Sequence, residues 1–346
     1  MRVVVTGATG NVGTSLLDAL AGDDGVEEVV GVARRRPARE RPKVRWEAAD
    51  VTVSELAPLF AGAACVVHLA WAIQPSRDPA ALRRINVVGS ERVFRVAAEA
   101  GVPALVYASS VGAYSPGPKD RRVDETWPTN GIPTSFYARH KSEVERLLDR
   151  FQREHPNVRV ARLRPALIFA RGSAEEQRRY FLGPLFPRAL ARPGAIPVVP
   201  DVPGLRFQAV HSRDVGEAYR LAIHSEASGA FNVAADPVLD GPELGRLLHA
   251  RPVRVPPRLA RGAAALSWRL RLQPTPPGWL DMGLAVPLMD TARARRELGW
   301  EPERSSTDAI LDLLAGIRGG AGGKTPPLRP GRVPDGVGSL PPGRGG

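Results

Sequence analysis

Tyr137 and Lys141 stand four residues apart in the stretch SFYARHKSEVERLL, residues 135–148. The apolar residues Phe136, Ala138, Val144, Leu147 and Leu148 recur there at a helical period. On a helix, side chains at i and i+4 share a face. A free phenol has a pKa of about 10 and is a poor base at neutral pH. A lysine ammonium one turn away stabilises the phenolate and lowers that value. A phenol tuned in this way can exchange a proton with a hydroxyl or carbonyl oxygen while a redox cofactor carries the hydride. Taken alone, the spacing equally fits a packed tyrosine beside a solvated lysine.

The opening residues, MRVVVTGATGNVG, supply a context for the redox reading. Gly7, Gly10 and Gly13 come directly after an apolar strand and at the start of the helical pattern Val12–Ala21. Gly7 permits a tight turn, Gly10 lets backbone approach a pyrophosphate, and Gly13 lets helix and strand pack closely. The phosphates then meet a helix N-terminus, whose free N–H groups and dipole favour anions. A second strand about twenty residues on completes the pattern. The early glycine turn also reads as a strand end rather than a signal peptide.

These residues need a scaffold, and the first half of the chain supplies one. Strands are predicted at Arg2–Thr6, Val29–Ala33, Val44–Glu47, Cys65–Leu69, Ala104–Ser109 and Arg159–Leu163, with helices at Val12–Ala21, Ala80–Ala100 and Tyr137–His155. Short unbroken apolar strands alternating with helices argue for a doubly wound parallel sheet covered on both faces. Further strands are predicted at Phe207–Val210 and Phe231–Val233, and a helix at Val215–His224. Residues from about 236 to 317 read as a smaller, mostly helical unit. From Gly319 to Gly346, 16 of 28 residues are Gly or Pro, which predicts a disordered tail over 318–346.

With TGATGNVG at the start, YASSVGAY at 107–114 and Tyr137-Ala-Arg-His-Lys141 after it, the chain resembles the extended short-chain dehydrogenase/reductase superfamily, in its NAD-dependent epimerase/dehydratase branch. CVVHLAWA, NVVGSERVFRVAAEAGVPALVYASS, AVHSRDVGEAY and DTARARRELGWEP agree with it in order, over about residues 1–317. The resemblance implies an α/β Rossmann-type fold with a C-terminal substrate subdomain. The dinucleotide-binding domain would comprise 1–167 plus about 206–235, and the substrate part about 168–205 plus 236–317. It implies an NAD(P)-dependent oxidoreductase of the epimerase/dehydratase type, with Tyr137 as general acid/base and Lys141 also holding the nicotinamide ribose. Counting back four from Tyr114 gives Ser110 as the hydroxyl beside the reacting oxygen, with Ser109 as its neighbouring alternative. Asn86 corresponds to a helix asparagine that helps organise the site. The cofactor would rest on Gly7, Thr9, Gly10, Asn11, Val12 and Gly13, meet Asp50 and Val51 at the adenine, and run past Leu69, Ala70 and Trp71 to Pro165. Family dimers pack two helices per subunit into a four-helix bundle, here those of Ala80–Ala100 and Tyr137–His155, which implies a homodimer.

Two departures bear on specificity. An NAD-selecting site carries an acid at the end of the second strand, to bind the ribose 2′-OH. Here Ala33 is followed by Arg34, Arg35 and Arg36, which suits a 2′-phosphate and points to NADP over NAD. Sugar-nucleotide members carry an asparagine after the sixth strand, where this chain has Leu167. That favours reduction or oxidation of a less polar ketone or alcohol. A nucleotide-sugar epimerase or dehydratase, and a non-catalytic NADP-sensing protein, are the alternatives.

The totals exclude other classes. The chain has 346 residues, 43% of them hydrophobic, and a formal net charge of +12 from 48 Lys+Arg against 36 Asp+Glu. The basic residues do not gather into one block, and no nucleic-acid motif accompanies them, so nucleic acid is not an expected partner. Cys65 is the only cysteine, which precludes an internal disulfide and favours a reducing, cytoplasmic setting. No stretch reaches the roughly 18 apolar residues of a membrane span. No His/Cys/carboxylate set has metal spacing, so no metal is expected. His68 reads as a strand residue beside the cofactor, His140 as exposed, and Asp214 as organising a junction between subdomains. RLARGAAALSWRLRL, residues 258–272, is basic and amphipathic and reads as a substrate-domain helix.

Overall fold

The computed structural model describes residues 1–38, 40–73, 78–183 and 186–330. Its centre is a seven-stranded sheet, parallel throughout. The strand order is Gly229–Val233, Arg159–Pro165, Ala104–Ala108, Cys65–His68, Arg2–Thr6, Glu28–Ala33, Val44–Ala48. The strands form because they are short β-branched runs that can be buried on both faces. Val3 and Val5 face the helices Asn11–Ala21 and Ser212–His224 through Leu16, Leu20, Val215 and Tyr219. Val4, one residue out of phase, faces Gly89–Glu99 and Phe136–Glu154 through Phe94, Leu147 and Phe151. The order reverses between Arg2–Thr6 and Cys65–His68, which opens a crevice beyond the carboxyl ends of those two strands.

The remaining strands pair two by two. Leu167–Phe169 pairs with Ala209–His211, Val198–Asp201 with Arg251–Arg254, and Arg122–Val123 with Leu288–Met289, each in parallel. Helices follow at Gly241–Leu248, Pro257–Arg269, Gly278–Ala285 and Ser306–Arg318. The carboxylate of Asp214 accepts from the backbone N–H groups of Glu303 and Arg304, both at 3.2 Å. Its carbonyl accepts from the Trp300 indole at 2.8 Å. Asp214 thus ties the start of the Ser212–His224 helix to the C-terminal helical region. Among the described residues no helix is long and apolar enough to cross a membrane.

Three expectations are corrected. The helix of residues 80–100 is broken into Pro79–Arg83, a π-helical turn at Arg84–Val88 and Gly89–Glu99. The π turn buries Asn86, whose polar side chain turns to backbone rather than continuing the apolar period. His140 is buried, not exposed: its ring lies 6.0 Å from that of Phe136 and within 3.5 Å of Asn86 Nδ2. The segment from Gly319 to Pro330 is docked, not disordered. Thr325 and Leu328 are buried there, and a short 3-10 turn runs over Pro326–Leu328. Residues 331–346 of the expected tail lie outside the described residues.

Candidate active site

The glycine turn forms one wall of the crevice. Gly7 has φ +73°, and a Cβ there would stand 2.6 Å from the Ala70 backbone nitrogen. A Cβ at Gly13 would stand 2.5 Å from the Gly7 carbonyl oxygen. Gly7 and Gly13 are therefore required by the protein's own packing. Gly10 is different: a Cβ there meets only the Gly7 oxygen, at an ordinary 3.5 Å. Its bareness serves whatever approaches the turn from outside. The helix Asn11–Ala21 starts there with no side-chain cap and no acid in its first turn. Its first helical bond is Thr14 N–H to the Gly10 carbonyl, 2.9 Å. The N–H groups of Asn11, Val12 and Gly13 thus have no carbonyl within the helix, which suits a pyrophosphate.

The opposite wall is the loop after Cys65–His68, where Leu69, Ala70 and Trp71 are half-buried. At the far end of the glycine turn, Ala33 closes its strand, 6% exposed and without a carboxylate. Arg34 is exposed, and Arg36 is held by Glu47 at 2.8 Å. Asp50 accepts from Thr52 N at 2.8 Å and Thr52 Oγ1 at 2.6 Å, which shapes the loop carrying buried Val51. Pro165 ends the strand Arg159–Pro165, in register with Val233. These residues fit a dinucleotide laid along the crevice.

Tyr137 and Lys141 sit on the Phe136–Glu154 helix, capped by Ser135, whose Oγ accepts from Ala138 N. Ser110 follows the strand Ala104–Ala108 and caps the next turn, accepting from Gly112 N at 3.0 Å. Burial pushes the Tyr137 hydroxyl up to about 12, against the opposing hydrogen bond with Ser110. The lowering expected from Lys141 is not found: burial raises the value, and Ser110 is the group that opposes it. The Lys141 ammonium lies 3.5 Å from the centre of the Trp71 ring and 5.8 Å from that of Tyr137, and donates to the Ala108 carbonyl at 2.5 Å. Burial in turn pulls Lys141 well below the ordinary lysine value, with Glu145 opposing.

Glu145 anchors the helix from below. It is fully buried and takes Arg164 Nε at 2.9 Å, Arg162 Nη1 at 2.8 Å and Ser109 Oγ at 2.6 Å. Burial alone would raise this carboxyl; Arg164, then Arg162 and Ser109, bring it down to about 2. Ser109 is spent in this cluster, which leaves Ser110 beside Tyr137. Asn86 accepts from Ala72 N at 2.7 Å and donates to Ala72 O at 3.0 Å, and so fixes the loop bearing Trp71. His68 bonds Thr6 Oγ1 at 2.7 Å and Ser90 Oγ at 2.9 Å, and burial, then Lys141, pushes it down to about 3.

Two features of the site are absent from the sequence reading. One is the Glu145–Arg162–Arg164 cluster, signalled only by the arginines Arg162 and Arg164 at alternate positions of the strand Arg159–Pro165. The other is Trp279, from the helix Gly278–Ala285, whose ring centre lies 4.9 Å from that of Tyr137. Trp71 stands at 6.0 Å on the edge of the same tyrosine, and Phe181 stands 5.2 Å from Trp279. The indole N–H groups of Trp71 and Trp279 are buried with no hydrogen-bond partner among the described residues. Buried indoles normally find an acceptor.

Known proteins are similar to this chain over most of its length. The chain is 26% identical to a UDP-glucose 4-epimerase of Mycolicibacterium smegmatis, over 92% of this chain and 99% of that one. It is 25% identical to a 3-beta-hydroxysteroid dehydrogenase of Mycolicibacterium neoaurum, over 90% of each. A Thermus thermophilus UDP-glucose 4-epimerase solved with NAD superposes with a TM-score of 0.66 at 21% identity, over 92% of this chain and 99% of that one, a likeness of fold. The profile of the NAD dependent epimerase/dehydratase family matches residues 3–234, about two thirds of the chain, and the chain belongs to that family.

Proposed function

We propose that the protein reduces a carbonyl carbon, or oxidises the matching alcohol, on a substrate less polar than a sugar nucleotide. One observation carries this reading: Tyr137 stands beside Ser110, with the rings of Trp71 and Trp279 packed on its own and Phe181 against Trp279. A nicotinamide held in the crevice would supply or accept the hydride. Tyr137 is neutral at physiological pH, so in reduction its Oη gives its proton to the carbonyl oxygen as the C–O double bond becomes single. Ser110 Oγ hydrogen-bonds the same oxygen and stabilises the charge developing there. Lys141, held by the Ala108 carbonyl and the Trp71 face, supplies the cation that stabilises the phenolate left behind. Asn86 acts at one remove, through the backbone of Ala72.

The aromatic walls favour a flat or apolar substrate, and Leu167 offers no hydrogen bond where sugar-nucleotide members place asparagine. The relative named as a 3-beta-hydroxysteroid dehydrogenase supports this substrate class, and the relative named as a UDP-glucose 4-epimerase supports the alternative. A panel of cyclic and aromatic ketones, run beside UDP-sugars, tests the reading by the absorbance of reduced nicotinamide. Consumption with ketones is the expected result. UDP-sugar epimerisation without ketone turnover would overturn it.

For the cofactor, the reading is NADP in preference to NAD. Ala33 cannot accept from a ribose 2′-OH or repel a 2′-phosphate, and Arg34 is the exposed cation next to it. A charge-assisted contact to phosphate is worth about 1.5–3 kcal/mol, ten-fold or more in affinity. Isothermal titration should therefore give a lower Kd for NADP, and Ala33→Asp with Arg34→Ser should reverse the order. Equal affinities in the unmodified protein would count against Arg34 as the selecting group.

A further inference from the structure

The glycine-rich C-terminal segment lies on the glycine turn of the first strand. Thr325 Oγ1 donates to the Thr9 carbonyl at 2.7 Å, across 316 residues of sequence, and Thr325 is 4% exposed. The approach is specific. Leu328 is 2% exposed. Gly322 and Gly323 pack so closely on it that an added Cβ would stand 2.4 Å from the Leu328 carbonyl oxygen and 2.7 Å from its Cβ. Arg329 Nε donates to the Lys324 carbonyl at 3.2 Å and closes the segment on itself. Arg179 grips the far side, donating to the Pro327 and Arg329 carbonyls, both at 3.2 Å. The Ala321 carbonyl accepts from Glu175 N at 3.3 Å. Such a Gly/Pro-rich stretch costs much entropy to order, and these contacts are what offset it.

The residue this docking delivers is Lys324. The chain has four lysines. Three are committed to backbone carbonyls: Lys43 to Asp23, Lys119 to Arg206 and Gly283, and Lys141 to Ala108. Lys324 is exposed, with no side-chain partner among the described residues. It is adjacent in sequence to the residue that touches Thr9, and consecutive Cα atoms are about 3.8 Å apart. Its flexible four-carbon stem can bring the ammonium over the bare N–H groups of Asn11, Val12 and Gly13. No acid occupies the first turn of that helix to compete. The docked segment therefore borders the glycine turn.

We propose that residues 322–328 are a working part of the dinucleotide site, with Thr325 as the clip and Lys324 as a ligand to the cofactor's phosphates. This rests on the reading of the glycine turn as a dinucleotide site. Isothermal titration with NADP and NAD tests it on four proteins: the unmodified chain, Lys324→Ala, Thr325→Val, and a chain ending at Arg318. Lys324→Ala should weaken both dinucleotides about ten-fold, with an unchanged Tm and a shallower dependence of Kd on salt. Thr325→Val and the truncation should weaken binding at least as much. Unchanged affinity in Lys324→Ala, or tighter binding on truncation because the segment competes with the cofactor, would overturn the proposal. Gly10→Val, at the one glycine of the turn whose added Cβ meets only an ordinary contact, separates this from the underlying reading. If it still binds like the unmodified chain, or if the unmodified chain binds neither dinucleotide, the glycine turn is not the site and both readings fall. If Gly10→Val alone loses binding, with an unchanged Tm, only the role of the segment fails.

Discussion

Tyr137→Phe should lose turnover by a factor of about 10²–10⁴, the usual contribution of a positioned proton donor. The substitution removes only the phenolic oxygen. The ring remains to pack between Trp71 and Trp279, so Tm and dinucleotide affinity should stay within about two-fold of the unmodified protein. Ser110→Ala removes one hydrogen bond to the same oxygen and should cost less. Steady-state kcat together with a binding titration reads both effects at once. Near-normal kcat in Tyr137→Phe would remove Tyr137 from the chemistry, whatever its position.

Glu145→Ala should have the largest effect on stability. It leaves the Arg164 guanidinium buried without its carboxylate, and Arg162 with only the Asp149 carboxylate at 2.7 Å; breaking a buried pair costs about 3–5 kcal/mol. The Tm should fall by on the order of 10 °C. The pH dependence has a definite sign. The Glu145 carboxyl titrates at about 2 when folded, against an ordinary value of 4.5. Its contribution is therefore fully present above pH 4.5 and is lost as pH falls from there towards 2. Denaturant melts across that window should show the unmodified protein losing stability faster than Glu145→Ala. Parallel acid limbs for the two would show that Glu145 does not carry this term. The cluster also seats the helix bearing Tyr137 and Lys141, so kcat should fall in the variant even where it is folded.

The parts of the molecule that were legible in the sequence are those set by local pattern. Parallel strands buried on both faces must be unbroken apolar runs, so Arg2–Thr6 and Cys65–His68 were visible to within a residue. The glycine turn was visible because Gly7 and Gly13 answer close backbone contacts that no other residue allows. The Tyr137–Lys141 pair was visible because helix geometry fixes the spacing. What depends on distant residues was not. Trp279 reaches Tyr137 across 142 positions, and nothing near either residue marks the meeting. The Glu145 cluster joins a helix to a strand, and each charge alone reads as surface. The composition of Gly319–Pro330 signals disorder, yet glycines are what let this stretch fold tightly onto Leu328. The pKa of Tyr137 runs against expectation for a related reason: its burial, to which the distant Trp279 contributes, raises it, and Ser110 is the group that opposes this.

The central claim is net hydride transfer to a carbonyl at the Tyr137 pocket. Incubating the protein with reduced cofactor carrying two deuteriums at the nicotinamide C4, together with a ketone it consumes, reads this directly by mass spectrometry. One deuterium is expected on the carbinol carbon of the product, with the other left on the oxidised ring, and none transferred in Tyr137→Phe on the same timescale. Product formed without deuterium, its carbinol hydrogen coming from solvent, would contradict it.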